Sequence, residues 1–62
     1  MQINKYKYYR MKAGMTQGQL AKKVGVKQPT VACWEAGRAN PTARLLPIVA
    51  KVLKVKIDVL LA

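Results

Sequence analysis

Apolar side chains recur every three or four positions along this 62-residue chain, in short stretches separated by glycine and proline. That period predicts helices rather than strands. A first helix is expected from Ile3 to Lys12, with Ile3, Tyr6 and Tyr9 on one stripe, Arg10 beside them and Gly14 as its stop. Tyr6 and Tyr9 are expected in the core and Tyr8 at the surface. The second start signal is sharper. Thr16 followed three residues later by Gln19 forms a capping box, and Met15 with Leu20 forms a hydrophobic staple. Leu20, Ala21 and Val24 then make an apolar stripe that Gly25 closes, giving a helix over residues 17–24. Gly18 weakens that helix by up to ~1 kcal/mol relative to alanine.

A third helix is predicted from Gln28 to Ala36, with Pro29 in its first turn and Gly37 after its end. Val31 and Trp34 fall on one side of it, and Pro29, Ala32 and Cys33 on the other. Helices two and three are joined by so short a glycine-containing turn that they must cross steeply, as in a helix-turn-helix unit. Beyond Asn40-Pro41, Thr42 is expected to cap a fourth helix running to Leu53, with Pro47 kinking it mildly by orphaning the Ala43 carbonyl. A last helix, residues 57–61, is expected to pack Ile57, Leu60 and Leu61 back as a lid. The expected fold is all-α: five short helices in one domain spanning residues 1–62.

Composition narrows what such a fold can do. Hydrophobic residues make up 52% of the chain, enough for a core and too many for a disordered tail. A single cysteine, Cys33, excludes an intrachain disulfide and suggests a cytoplasmic protein. The longest unbroken apolar run, Val59–Ala62, falls far short of the ~20 residues of a membrane span, and Met1–Arg10 is too polar and basic for a secretory signal. With no histidine and only Glu35 and Asp58 as acids, neither a catalytic dyad nor a metal-ligand set is expected, nor a cofactor or small-molecule ligand. An enzyme is not expected. Charge points elsewhere: twelve Lys and Arg give a net +10 and a pI near 10.3, which fits a polyanionic partner.

The segment from Thr16 to Glu35 (TQGQLAKKVGVKQPTVACWE) closely resembles the phage repressor/Cro family of helix-turn-helix DNA-binding domains. The likeness extends to Arg10 and Gly14 before it, and to Gly37, Pro41 and the Ile57–Leu61 ending after it. In such a motif Ala21 must be small because the third helix crosses over it, and Gly25 takes a backbone conformation closed to β-branched residues. Leu20, Val24, Val26, Val31 and Trp34 fill the wedge between the helices, so Trp34 reads as core rather than as a stacking platform. The resemblance further implies an ion pair between Arg10 and Glu35, pinning helix one to helix three. Lys54 stands where the family commonly has a helix-ending glycine, and Lys56 where it has a cap.

If helix three enters the major groove, its first residues and outer side meet base edges. Gln28 is the leading base reader, because an amide can bond adenine N6 and N7 together. Lys27 replaces the usual capping Ser or Thr, giving up a cap worth ~1 kcal/mol, which makes sense if its ammonium reaches a guanine or a phosphate. Thr30 and Ala32 can offer a methyl or hydroxyl, and Cys33 is either an apolar contact or a half-buried residue without a role. Gln17 at the start of helix two, Arg38 and Asn40 in the following loop, and Arg44 are expected to position the phosphate backbone. The remaining lysines supply long-range attraction.

The function expected is sequence-specific binding of double-stranded DNA by a transcriptional regulator. It would act as a Cro-like repressor whose homodimer covers a two-fold symmetric operator in a prokaryotic or phage-infected cell. Val55, Ile57 and Val59 are the dimer candidates, and they could equally be core. The alternative is an antitoxin-type interaction module that also binds its own operator.

Overall fold

The computed structural model of the protein describes residues 3–61. Five helices follow in order: α1 (Lys5–Lys12), α2 (Gln17–Val24), α3 (Gln28–Glu35), α4 (Leu46–Leu53) and α5 (Ile57–Leu61). No strand occurs among the described residues.

The start of α2 is as the sequence predicts. Thr16 Oγ1 accepts from the Gln19 N–H at 3.1 Å, while Gln19 Oε1 accepts from the Thr16 N–H at 2.8 Å. The helix ends at Gly25 (φ 94°), where the Val26 N–H reaches back to the Ala21 carbonyl at 2.9 Å. The same six-to-one closure ends α1 (Met15 to Arg10), α3 (Arg38 to Cys33) and α4 (Val55 to Ala50). The left-handed residue is glycine at positions 14, 25 and 37 and lysine at position 54 (φ 59°).

Two helices start later than their periodicity suggests. At α1 the Asn4 side chain accepts the Tyr6 N–H at 2.7 Å from an extended backbone (φ −58°, ψ 144°), so the helix begins at Lys5. Ile3 is thereby left off the core stripe, 54% exposed, and Tyr9 is only half-buried. At α4 the chain makes a turn first: the Thr42 carbonyl accepts from both Leu45 (3.0 Å) and Leu46 (2.9 Å). Pro47 explains this. It has no N–H, and its ring opposes a helical turn closing on the Ala43 carbonyl. The helix therefore starts at Leu46 with the proline in its first turn, where no donor is needed and the expected kink does not arise. Arg44 sits in the preceding turn rather than opening the helix. Helix α3 stops at Glu35, one residue short, with Ala36 as its cap.

One apolar cluster joins all five helices: Tyr6 from α1, Leu20, Ala21 and Val24 from α2, Val31 and Trp34 from α3, four residues of α4, and Leu60. The contact of α2 with α3 is the most extensive, and Ala21 is buried there, as its size requires. Tyr6 and Trp34 pack with ring centroids 6.1 Å apart. The α5 lid closes through Leu60 and half-buried Ile57, whereas Leu61 points outward, 64% exposed.

Candidate nucleic-acid interface

The far end of α3 is held from three directions. Asn4 Nδ2 donates to the Trp34 carbonyl at 3.0 Å. Arg10 grips Glu35 with two parallel bonds, Nε to Oε2 at 2.5 Å and Nη2 to Oε1 at 3.0 Å, while its Nη1 donates to the Met15 carbonyl at 2.8 Å. Gln17 Nε2 donates to Glu35 Oε1, also at 3.0 Å. The ion-paired side chains retain only 11% and 5% exposure. Burial pushes the Glu35 carboxyl up, but hydrogen bonds from Arg10 and Gln17 and the charges of Arg10 and Lys7 outweigh it and hold the group below its ordinary value. Glu35 is thus a fixed anion spent inside the fold, and Asp58, the other acid, lies in the first turn of α5. No acid is left on the outer face of α3.

The near end of α3 is the opposite. Lys27, Gln28, Pro29 and Thr30 are all exposed. Lys27 occupies the cap position without a side-chain cap bond, so its ammonium stays outside. Ala32 and Cys33 are half-buried. Gln28, Pro29, Ala32, Cys33, Ala36 and Arg38 together line an open depression of about 450 Å³ along the outer side of the helix. Arg38 therefore flanks the face that Gln28 and Cys33 share. Arg44 is exposed in the turn before α4. Asn40 is exposed too, but it borders a different depression, beside Lys5, Tyr6, Pro41 and Leu46.

Gln17 does more than its sequence position suggests. It is half-buried, and besides bonding Glu35 it accepts from Gln28 Nε2 at 2.6 Å. Among the described residues no group of three or more Cys, Asp or Glu side chains comes together as a metal site. No described helix is long and apolar enough to cross a membrane.

This frame, two helices locked over a small alanine with the second exposing its first turn, is matched in known proteins. The model of the helix-turn-helix family covers residues 7–60. The chain belongs to the Cro/C1-type helix-turn-helix family. It is 46% identical over 50 residues to an HTH-type transcriptional regulator of Archaeoglobus fulgidus, covering 81% of this chain and 71% of that one. A regulator of Methanocaldococcus jannaschii is 44% identical over 55 residues, covering 89% and 83%. A further A. fulgidus regulator is 42% identical over 52 residues, covering 84% and 73%. As a member of this helix-turn-helix family the protein is a DNA-binding transcriptional regulator and not an enzyme.

Two features of the site escape sequence reading. Asn4 is the first: an Asn before a helical stretch is a recognised cap signal, but its second bond, to Trp34, needs the packed fold. The second is the Gln17 bridge, which joins residues 11 and 18 positions apart.

Proposed function

We propose that this domain, residues 1–62, reads a two-fold symmetric operator as a homodimer and represses by occluding a promoter, in the cytoplasm. The observation that carries the reading is the asymmetry of α3, pinned at Glu35 and open at Gln28. A helix packed on one side and pinned at its far end, with its first turn exposed, can enter the major groove without costing the core any contact. In that pose Gln28 bonds adenine, Lys27 reaches guanine or phosphate, and Thr30, Ala32 and Cys33 supply methyl-sized contacts along the depression. Arg38 and Arg44 hold the phosphate backbone. Asn40 and the N-terminus of α2 at Gln17 extend the same grip.

One α3 reads about half a site, so specificity needs two copies about 34 Å apart on one face of the duplex. Val55, Ile57 and Val59 are each half-buried, and Val55 and Ile57 lean on the core, so part of each remains for a partner. The protein is tested by selecting bound sequences from a random duplex pool. The expected result is a symmetric consensus with half-sites one helical turn apart, and enrichment of no sequence overturns the reading.

A further inference from the structure

The ends of α1 and α4 enclose a third depression, of about 280 Å³, lined by Tyr9, Lys12, Ala13, Leu53, Lys54 and Val55. Its floor is apolar and its rim cationic: Leu53 is buried, Tyr9 and Val55 are half-buried, and Lys12 and Lys54 are both exposed. Tyr8 extends the rim along α1. It is 44% exposed, its ring stands edge-on to Tyr9 at 5.0 Å, and the Lys12 ammonium lies over it at 5.4 Å. Neither acid of the chain lines this depression, nor does any residue assigned above to the duplex.

Lys54 is the residue here that the fold itself does not explain. It takes the left-handed conformation (φ 59°) that glycine supplies at positions 14, 25 and 37, and that conformation disfavours a side chain. The closure at this point is made by backbone, Val55 N–H to the Ala50 carbonyl at 3.0 Å, so the lysine side chain contributes nothing to it. What the side chain does is set a second cation, with Lys12, beside the apolar floor.

We infer that this depression docks an acidic, amphipathic segment of another protein, with an apolar side chain entering over Leu53 and Val55 and carboxylates meeting Lys12 and Lys54. Charge complementarity decides the occupant. A second copy of this chain would bring another +10 to a cationic rim. A duplex backbone offers charge to the lysines and nothing apolar to the floor. A helix with an apolar stripe between acidic flanks supplies both. Docking here leaves α3 free for DNA and asks nothing of Gln28.

The probe is a synthetic helical peptide with leucines at three- and four-residue spacing and glutamates on either flank. Its controls are a scrambled peptide of the same composition, polyglutamate of equal charge and a single-stranded oligothymidylate. Amide NMR shifts locate binding on the intact chain, and titrations give affinities for it and for Lys12→Ala, Lys54→Gly and Lys23→Ala. The amphipathic peptide should shift Tyr9, Lys12, Leu53, Lys54 and Val55 and leave Gln28 and Cys33 unmoved. Lys12→Ala and Lys54→Gly should each weaken it about two- to fivefold, the range of one exposed ion pair. Lys23→Ala, which removes an exposed lysine of α2, should weaken it by less. Lys54→Gly should lose affinity while melting higher than the intact chain, which separates docking from folding. Absence of shifts at these residues overturns the proposal. Equal affinity for the scrambled peptide or polyglutamate, or an equal loss in Lys23→Ala, reduces the effect to net charge and overturns it too. Tighter binding of the oligothymidylate at the same residues makes the occupant a nucleic acid. Shifts there that follow protein concentration without peptide make it a second copy, and either result rejects the acidic segment.

Discussion

Replacing Arg10 with methionine tests the internal anchor most severely. The guanidinium makes three bonds, two to a carboxylate that is 5% exposed and one to the Met15 carbonyl. Removing one member of a buried pair strands the other, at a cost of about 3–5 kcal/mol. A chain of 62 residues has roughly 3–9 kcal/mol in total, so the variant should lose between about a third and all of its stability. The dependence on pH gives a sharper signature. In the intact protein the folded carboxyl titrates below its unfolded value. Its contribution is therefore complete above the ordinary glutamate range, near pH 4.3, and is lost as pH falls through the folded value. Burial is the largest influence on this carboxyl, and without Arg10 it is opposed only by the Gln17 bond and the Lys7 charge, so the folded value should rise above the unfolded one. The sign then inverts, and Arg10→Met should gain stability as pH is lowered from 7 towards 5, where the intact protein is flat. Urea unfolding at both pH values, followed by fluorescence of Trp34, reads this directly, because that sole tryptophan is 2% exposed in the fold. A loss under about 1 kcal/mol at pH 7, or an unaltered pH slope, refutes the argument.

Lys54→Gly should raise the melting temperature by about 2–8 °C, since only this one of the four six-to-one closures asks a side-chain-bearing residue to adopt φ 59°. Gly18→Ala should stabilise by up to about 1 kcal/mol in the same melting experiment, because the added methyl meets nothing nearer than Thr16 Oγ1 at 3.9 Å. Lys27→Ser should supply the missing cap, raising stability by about 1 kcal/mol in thermal melts while weakening DNA binding in titrations. If it binds DNA as well as the intact protein, Lys27 has no role at the duplex. Arg38→Ala and Arg44→Ala should each weaken all sequences together and reduce the slope of log affinity against log salt by roughly one, checked by titrations at several salt concentrations.

Local rules reach far into this protein because most of its structure is made of local choices. The box at Thr16–Gln19, the stripe Leu20–Ala21–Val24 and the left-handed Gly25 each act within one or two helical turns, so α2 could be bounded to the residue from sequence. The base-reading candidates Lys27, Gln28 and Thr30 were legible for the same reason, since a helix beginning at Gln28 exposes its first turn. Where two local signals compete, sequence alone is weaker: Thr42 asks for a cap and Pro47 forbids the turn that would follow, and steric exclusion at the proline wins. Side chains far apart in sequence are a different matter. That Asn4 would reach Trp34, that Ile3 and Leu61 would face outward, and that Gln17 would stand between Glu35 and Gln28 all depend on how the helices cross. A helical period gives the direction of a side chain about its own axis, and the distance to a partner on another helix is set only when the shared core closes.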